Sequence, residues 1–377
     1  MTHKIKNPFL LSGYKNPDYF CDRRAETDKI VEALENGRNL TLISPRRMGK
    51  SGLIHNAFYY LSKNEDAACY YIDIYNTKSL QEFVQLFASE IVGSLDAKSK
   101  KVIDSVFAFF KSVRPVITAD ELTGAPQITV DFAQGKTQES LKEIFNYLSK
   151  SNKTCYIAID EFQQITNYKD ESVEALLRSY VQRMTNVRFI FSGSRKHIME
   201  KLFTSASQPF FQSTQMLQLG AISLKEYSKF ILKHFEKAEK NIPQEAIDFA
   251  YQTVGGHTWY MQMLLNRLYS ANENITDTNI VKQLLADILQ ENETTYQTYC
   301  KLITEKQFSL LKAIAAESEV QGPTAAEFIA KYKLGSTSTV SVSLKTLLNK
   351  ELLLENNGKY LVYDRFFALW LKYTFQS

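Results

Sequence analysis

The chain has 377 residues, 44% hydrophobic and 23% charged, with a formal net charge of +4. That hydrophobic content excludes a disordered, collagen-like or low-complexity protein, and the length suits two or three domains. A charge so close to neutral over this size gives no compositional argument for nucleic-acid binding. The N-terminal MTHKIKNPFLL has too short an apolar run for a secretory signal, and no stretch approaches the ~18 apolar residues of a membrane span. Cys21, Cys69, Cys155 and Cys300 lie far apart without a CxxC pair, which argues against a disulfide framework or a zinc site. A cytoplasmic protein without membrane contact is expected.

In chain order, residues 1–220 alternate short β-rich runs with helical stretches. The runs are LTLIS (40–44), CYYIDIY (69–75), CYIAID (155–160), RFIFSGS (188–194) and MLQLG (216–220). They are continuously apolar, as expected of strands buried on both faces of a parallel sheet. Helical periodicity marks Leu80–Leu95, Gln138–Leu148 and Val173–Met184, so this part is an α/β domain of βαβ units. Residues 113–134, with Pro115, Gly124 and Pro126, interrupt the rhythm and predict an inserted β-hairpin. From 221 to 303 the pattern is helical, with helices expected over Ser223–Ala238, Pro243–Val254, Thr258–Asn272 and Asp277–Ile303; Ser223, Pro243 and Asp277 suit first-turn or capping positions. Residues 304–377 hold three short helices followed by LLLENNGKYLVY, in which Asn357-Gly358 between apolar runs predicts a tight hairpin. Three helices and a hairpin are the layout of a winged helix.

The strand LTLIS runs into Ser44-Pro45-Arg46-Arg47-Met48-Gly49-Lys50-Ser51, and a helix follows from Gly52. This fits the phosphate-binding loop GxxxxGK[ST], with Ser44 in place of the first glycine. Backbone N–H groups of such a loop and of the following helix N-terminus point at phosphate oxygens. Lys50 would neutralise the β/γ-phosphates and Ser51 would ligate Mg2+. The third strand ends in Asp160-Glu161: Asp160 would hold Mg2+ opposite Ser51, and Glu161 would polarise the attacking water. The fourth strand ends in Ser192, Ser194 and Arg195, beside the ligand crevice of a parallel sheet. There Ser194 could orient water and Arg195 could contact the γ-phosphate. Arg46 and Arg47 could bind phosphate or pair with Asp22 and Glu26. No NKxD-type element for guanine follows a strand, so ATP is favoured, with adenine expected against Asn7-Pro8-Phe9 and Tyr19 through Arg23.

With these residues in place, the chain resembles the archaeal-type ATPase family of P-loop NTPases, a branch near the STAND and AAA+ ATPases. The resemblance rests on FCDRRAE (20–26), SPRRMGKS (44–51), YIDIYNTKS (71–79), YIAIDEFQQI (156–165), FIFSGSRKHIM (189–199), VGGHTWYMQ (254–262) and YDRFFALWLKY (363–373). It implies a parallel sheet in the order 5-1-4-3-2, then a helical lid and a winged helix. It also implies that Arg195 reads the γ-phosphate and that His257 of Gly255-Gly256-His257 approaches the nucleotide from the lid, Thr258 standing where such motifs usually have proline.

These readings combine into an Mg2+- and ATP-dependent hydrolytic switch, with Ser44 through Gly52 and His257 around the nucleotide. A nucleotide-binding scaffold with negligible turnover is the alternative, and a small-molecule kinase comes third for want of an acceptor pocket. Ser336–Lys350 takes the recognition-helix position, and Lys345, Lys350 and Lys359 would face phosphates if the partner is double-stranded DNA. A protein partner fits the modest positive balance of this segment equally well, and oligomer formation stays open.

Overall fold

The computed structural model describes residues 6–93, 113–119, 126–132, 135–271, 274–356 and 358–375. They form two compact units, Ser12–Ile222 and Met1–Leu11 together with Ser223–Ser377. The first contains α1 (Arg24–Glu35), β1 (Leu40–Ile43), α2 (Lys50–Leu61), β2 (Ala67–Asp73), α3 (Leu80–Gly93), β3 (Val113–Ala119), β4 (Pro126–Phe132), α4 (Thr137–Ser149), β5 (Thr154–Asp160), a 3-10 turn (Phe162–Asn167), α5 (Val173–Val181), β6 (Val187–Gly193), α6 (Lys196–Thr204) and β7 (Gln215–Gln218).

Five of these strands make a parallel sheet in the order β2-β5-β6-β1-β7. Numbered as five core strands and read from the other edge, this is the expected 5-1-4-3-2. Apolar side chains cover both faces: α3 to α6 bury Phe83, Phe87, Phe145 and Met199 against Phe189 and Phe191, while α1 and α2 bury Ile30, Leu34, Leu53 and Ile54 against Leu40, Leu42 and Ala158. The central strands β1, β5 and β6 are therefore almost wholly buried. The expectation of two buried faces fails for β2 and β7, which are mostly half-buried or exposed, because these are the edges of the sheet. The inserted hairpin is present as the antiparallel pair β3–β4, with Pro115 opposite Val130. Its turn, including Gly124, lies outside the described residues, as do Ser94 and Leu95 at the end of the expected helix, and Asn272.

The second unit opens with α7 (Leu224–Glu236), α8 (Gln244–Val254), α9 (Thr258–Ser270), α10 (Thr278–Glu291) and α11 (Glu293–Lys301). Two of the predicted caps form: the Ser223 hydroxyl accepts from the Glu226 N–H, and the Asp277 carboxylate from that of Asn279. Pro243 takes the N-cap position of α8 without a side-chain cap. The expected single helix 277–303 is two helices, since Asn292 caps the end of α10 and its side-chain amide donates to the Ile288 carbonyl at 2.8 Å. The N-terminal strap belongs here: Asn7 donates to the Asn266 carbonyl at 2.7 Å, and Phe9 is fully buried among Phe230, Phe235 and Tyr269. Phe9 is thus a core residue of the helical part rather than a face for adenine.

The chain closes with α12 (Glu305–Glu317), β8 (Val320–Gln321), α13 (Ala326–Tyr332), α14 (Thr337–Asn349), β9 (Leu353–Asn356), β10 (Lys359–Val362) and α15 (Arg365–Phe375). Thr304 and Gln307 form a capping box at the start of α12. Strand β10 lies between β8 and β9 in an antiparallel sheet. Its register places Lys359 opposite Asn356, and Gly358 has φ +78°; Asn357 lies outside the described residues. The two-residue β8 is too short to carry a periodic signal. Helix α15 packs Phe367 and Trp370 against Tyr296 of α11. Among the described residues no helix is long and apolar enough to cross a membrane.

Candidate functional site

Strands β1, β5 and β6 all end at the same edge of the sheet, where the crevice of a parallel α/β sheet opens. The loop leaving β1 turns through two left-handed residues, Arg47 (φ +63°) and Gly49 (φ +90°), before α2 begins at Lys50. Ser44 is not among the residues with positive φ, so the position tolerates its side chain. Its buried hydroxyl donates to the Pro45 carbonyl at 3.0 Å and its N–H to the Gly193 carbonyl at 3.3 Å. Gly49 at the helix start offers no side-chain cap, so the first N–H groups of α2 keep the orientation that suits an anion. Gly52 sits close beneath Phe20, whose ring would lie 3.0 Å from a Cβ there.

The acids meet this loop directly. Lys50 Nζ lies 2.9 Å from Asp160 Oδ1 and 3.3 Å from Glu161 Oε1, and the Ser51 hydroxyl donates to Asp160 Oδ2 at 2.9 Å. Asp160 Oδ1 also accepts from Ser192 at 2.7 Å and from the Glu161 N–H at 2.9 Å. Burial alone would raise the Asp160 carboxyl; Lys50 beside it, with the hydroxyls of Tyr71 and Ser192, holds it instead at about 2. Burial alone would likewise lower the Lys50 ammonium, yet Asp160 and Glu161 keep it above its ordinary value. Both partners are charged, so the buried pair is paired rather than neutralised.

Glu161 stands in the left-handed region (φ +55°), a conformation that costs about 1 kcal/mol or more for such a residue. Oε2 accepts from the Ser194 hydroxyl at 2.8 Å and from the Gln163 side-chain amide. The other end of that amide, Gln163 Oε1, is buried without a hydrogen-bond partner. Arg195 is exposed and takes the N-cap position of α6 without a side-chain cap, immediately beyond Ser194. Arg46 lies over the Tyr75 ring at 5.4 Å, and Glu26, its expected partner, is engaged by Arg23 at 3.2 Å. His257 takes the N-cap position of α9 in the second unit without a side-chain cap, its ring edge-on to Tyr260.

Lys50, Ser51, Asp160, Glu161 and Ser194 thus come together as their sequence positions suggested. Three contributors have roles that their sequence positions do not suggest, Arg23 among them, from the segment expected beside adenine. Arg23, 2% exposed, donates to the Met48 carbonyl at 3.0 Å and the Gly220 carbonyl at 2.8 Å, bracing the loop from below. Tyr71 belongs to an apolar strand run and Gln163 follows the acids at the end of β5, and nothing in their spacing announces these roles. Ser51 with Asp160 presents hard oxygen donors 2.9 Å apart, and uncapped N–H groups of α2 adjoin Lys50; these donors fit a divalent cation with a phosphate chain.

Residues 20–264 match the family model of an ATPase domain predominantly from Archaea, and residues 294–373 that of a probable winged helix domain. In fold the chain is similar to the Walker-type ATPase PABY2304 of Pyrococcus abyssi, with TM-score 0.66 and 17% identity over 97% of this chain and 99% of that one. It is also similar to the Aeropyrum pernix ORC2 protein in its ADPNP–ADP complexes (TM-score 0.59, 13% identity, 98% of each chain). The Aeropyrum pernix ORC1 protein in complex with DNA gives 0.53 at 13% identity, over 98% of this chain and 97% of that one. At such identities the likeness is one of fold. No curated protein matches the chain in sequence.

Gly193 supplies a test of this packing. A Cβ there would stand 2.4 Å from Gln163 Oε1 and 2.5 Å from Met199 Sδ. Gly193→Ala is expected to lower stability by about 1–3 kcal/mol, read from chemical denaturation, as overpacked sites do.

Proposed function

Because the chain belongs to the family of ATPase domains predominantly from Archaea, we propose that it is an Mg2+-dependent, ATP-hydrolysing switch. The observation that carries this reading is the convergence of Lys50, Ser51, Asp160 and Glu161 at one end of the sheet. In binding, the N–H groups of the loop and of α2 take phosphate oxygens, and Lys50 exchanges its carboxylate partners for the β/γ-phosphates. Ser51 Oγ and Asp160 would hold Mg2+, which supplies charge neutralisation on the phosphates. Glu161 accepts the proton of the attacking water, and Ser194 and Gln163 hold its carboxylate in place. Arg195 reads the γ-phosphate, and His257 is the contribution of the helical segment 221–303 as a lid, on its Gly-Gly-His sequence alone. The last segment, 304–377, is the output module.

Two variants separate binding from chemistry. Lys50→Ala should weaken ATP binding at least about tenfold, near 1.4 kcal/mol, in titration calorimetry. Glu161→Gln should bind ATP like the parent while turnover falls about 100-fold; equal turnover would remove Glu161 from the role of base.

For the output module, one feature of α14 favours double-stranded DNA over a protein. Its exposed stripe of Ser338, Ser341, Val342, Lys345 and Asn349 carries small polar groups and a lysine, and the helix contains no acid. Of the other two lysines expected at phosphates, Lys350 donates to the Leu302 carbonyl and Lys359 pairs with Glu319 at 3.0 Å, so Lys345 bears the main charge of the stripe. Fluorescence anisotropy with duplex DNA at low salt should show binding that Lys345→Glu weakens several-fold and that added salt removes. No binding at low salt would leave a protein as the partner.

A further inference from the structure

Asp160 Oδ2 has a second donor besides Ser51. The Tyr71 hydroxyl, from β2, donates to the same oxygen at 2.5 Å. The sheet register explains the reach. Tyr71 is paired with Ala158 and Asp73 with Asp160, so Tyr71 stands two residues back along the neighbouring strand, on the face shared with Asp160. Only alanine stands beside it, and a phenol is long enough to run forward to the carboxylate.

The ring itself is held. His55 lies one turn after Ser51 on α2, on the same side of that helix, and its imidazole meets the Tyr71 ring at 4.5 Å between centroids. Tyr14 also stacks with His55 at 6.1 Å and donates to Asn56 at 2.9 Å. One stack therefore joins the helix that carries Ser51 to the strand that carries the tyrosine. Oδ1 of Asp160 is occupied by Lys50, Ser192 and the Glu161 N–H, and these fix one oxygen of the carboxylate; Tyr71 fixes the other.

We propose that Tyr71 is a positioning residue for the metal: its hydroxyl, braced by His55, sets the carboxylate of Asp160 so that Oδ2 faces the Ser51 hydroxyl. The proposal rests on the ATP and Mg2+ reading above. An outer partner of this kind contributes through the orientation and basicity of the ligand it holds, and its loss costs about tenfold or more in metal affinity. Nucleotide bound without metal does not use Asp160 and is indifferent to the hydroxyl.

Tyr71→Phe isolates the hydroxyl, because the phenyl ring keeps the packing on His55; an unchanged melting temperature verifies the fold. The measurement is the affinity for a fluorescent ADP analogue, once with excess chelator and once over a Mg2+ titration, with bound Mn2+ followed by electron paramagnetic resonance. Parent and variant should bind the analogue equally in chelator. The variant should need about tenfold more Mg2+ to reach the tightened affinity, with a matching loss of bound Mn2+. Equal metal response in parent and variant overturns the role of Tyr71 and leaves the ATPase reading standing. A parent whose nucleotide affinity does not respond to metal at all overturns both.

Discussion

A buried carboxylate with five donors governs the end of the sheet where β1, β5 and β6 stop. Asp160 is 2% exposed and accepts from Lys50, Ser51, Tyr71, Ser192 and the Glu161 backbone. Taking one charge out of water costs several kcal/mol, and only a close partner of opposite sign with every lone pair satisfied offsets it. Those donors come from α2, β2, β6 and the residue after β5, so the charge is stable only when these elements are all in register. The loop of Ser44 to Gly49 inherits its geometry from this requirement, since Lys50 must reach past the end of β6 to the acid.

The strand order makes that reach possible. β6 lies between β1 and β5, so the loop and the acid are separated by two strand spacings, about 10 Å. A lysine at the first turn of α2 covers most of this distance, and Ser192 on the intervening strand fills the remaining polar demand of Oδ1. The opposite side of the loop is secured by Arg23, whose guanidinium takes the carbonyls of Met48 and Gly220. Because Arg23 is buried with left-handed backbone (φ +59°), the segment before α1 is committed to this brace. Left-handed residues recur in the segments that build the site: Asp22 and Arg23 before α1, Arg47 and Gly49 in the loop, and Glu161 after β5.

In the second unit aromatic packing ties the N-terminal strap and the last helix to the helical segment. Phe9 is enclosed by Phe230, His234, Phe235 and Tyr269, which draws the N-terminal strap onto α7 and α9. Tyr296 of α11 meets Phe367 and Trp370 of α15, and Tyr260 of α9 meets Phe366 at 4.9 Å. The last helix is thus packed against the helical segment as well as against its own three-stranded sheet, and a shift in one would be felt by the other through contiguous rings.

Sequence alone determined the elements whose signal is local. The strands β1, β5 and β6, the phosphate-loop spacing, the acids after a buried run, the caps at Ser223 and Asp277, and the hairpin around Gly358 each follow from periodicity or from one residue's backbone preference. Tertiary structure decided what depends on neighbours distant in sequence. That β2 and β7 are edges, that 277–303 breaks at Asn292, and that a two-residue β8 joins β10 are consequences of pairing and packing. So is the fate of single side chains: Phe9 became core, Arg23 a brace and Tyr71 a donor to Asp160. A tyrosine in an apolar strand has the same local pattern whether its hydroxyl meets water or a carboxylate 89 residues away, and only the register of β2 on β5 brings that carboxylate within reach.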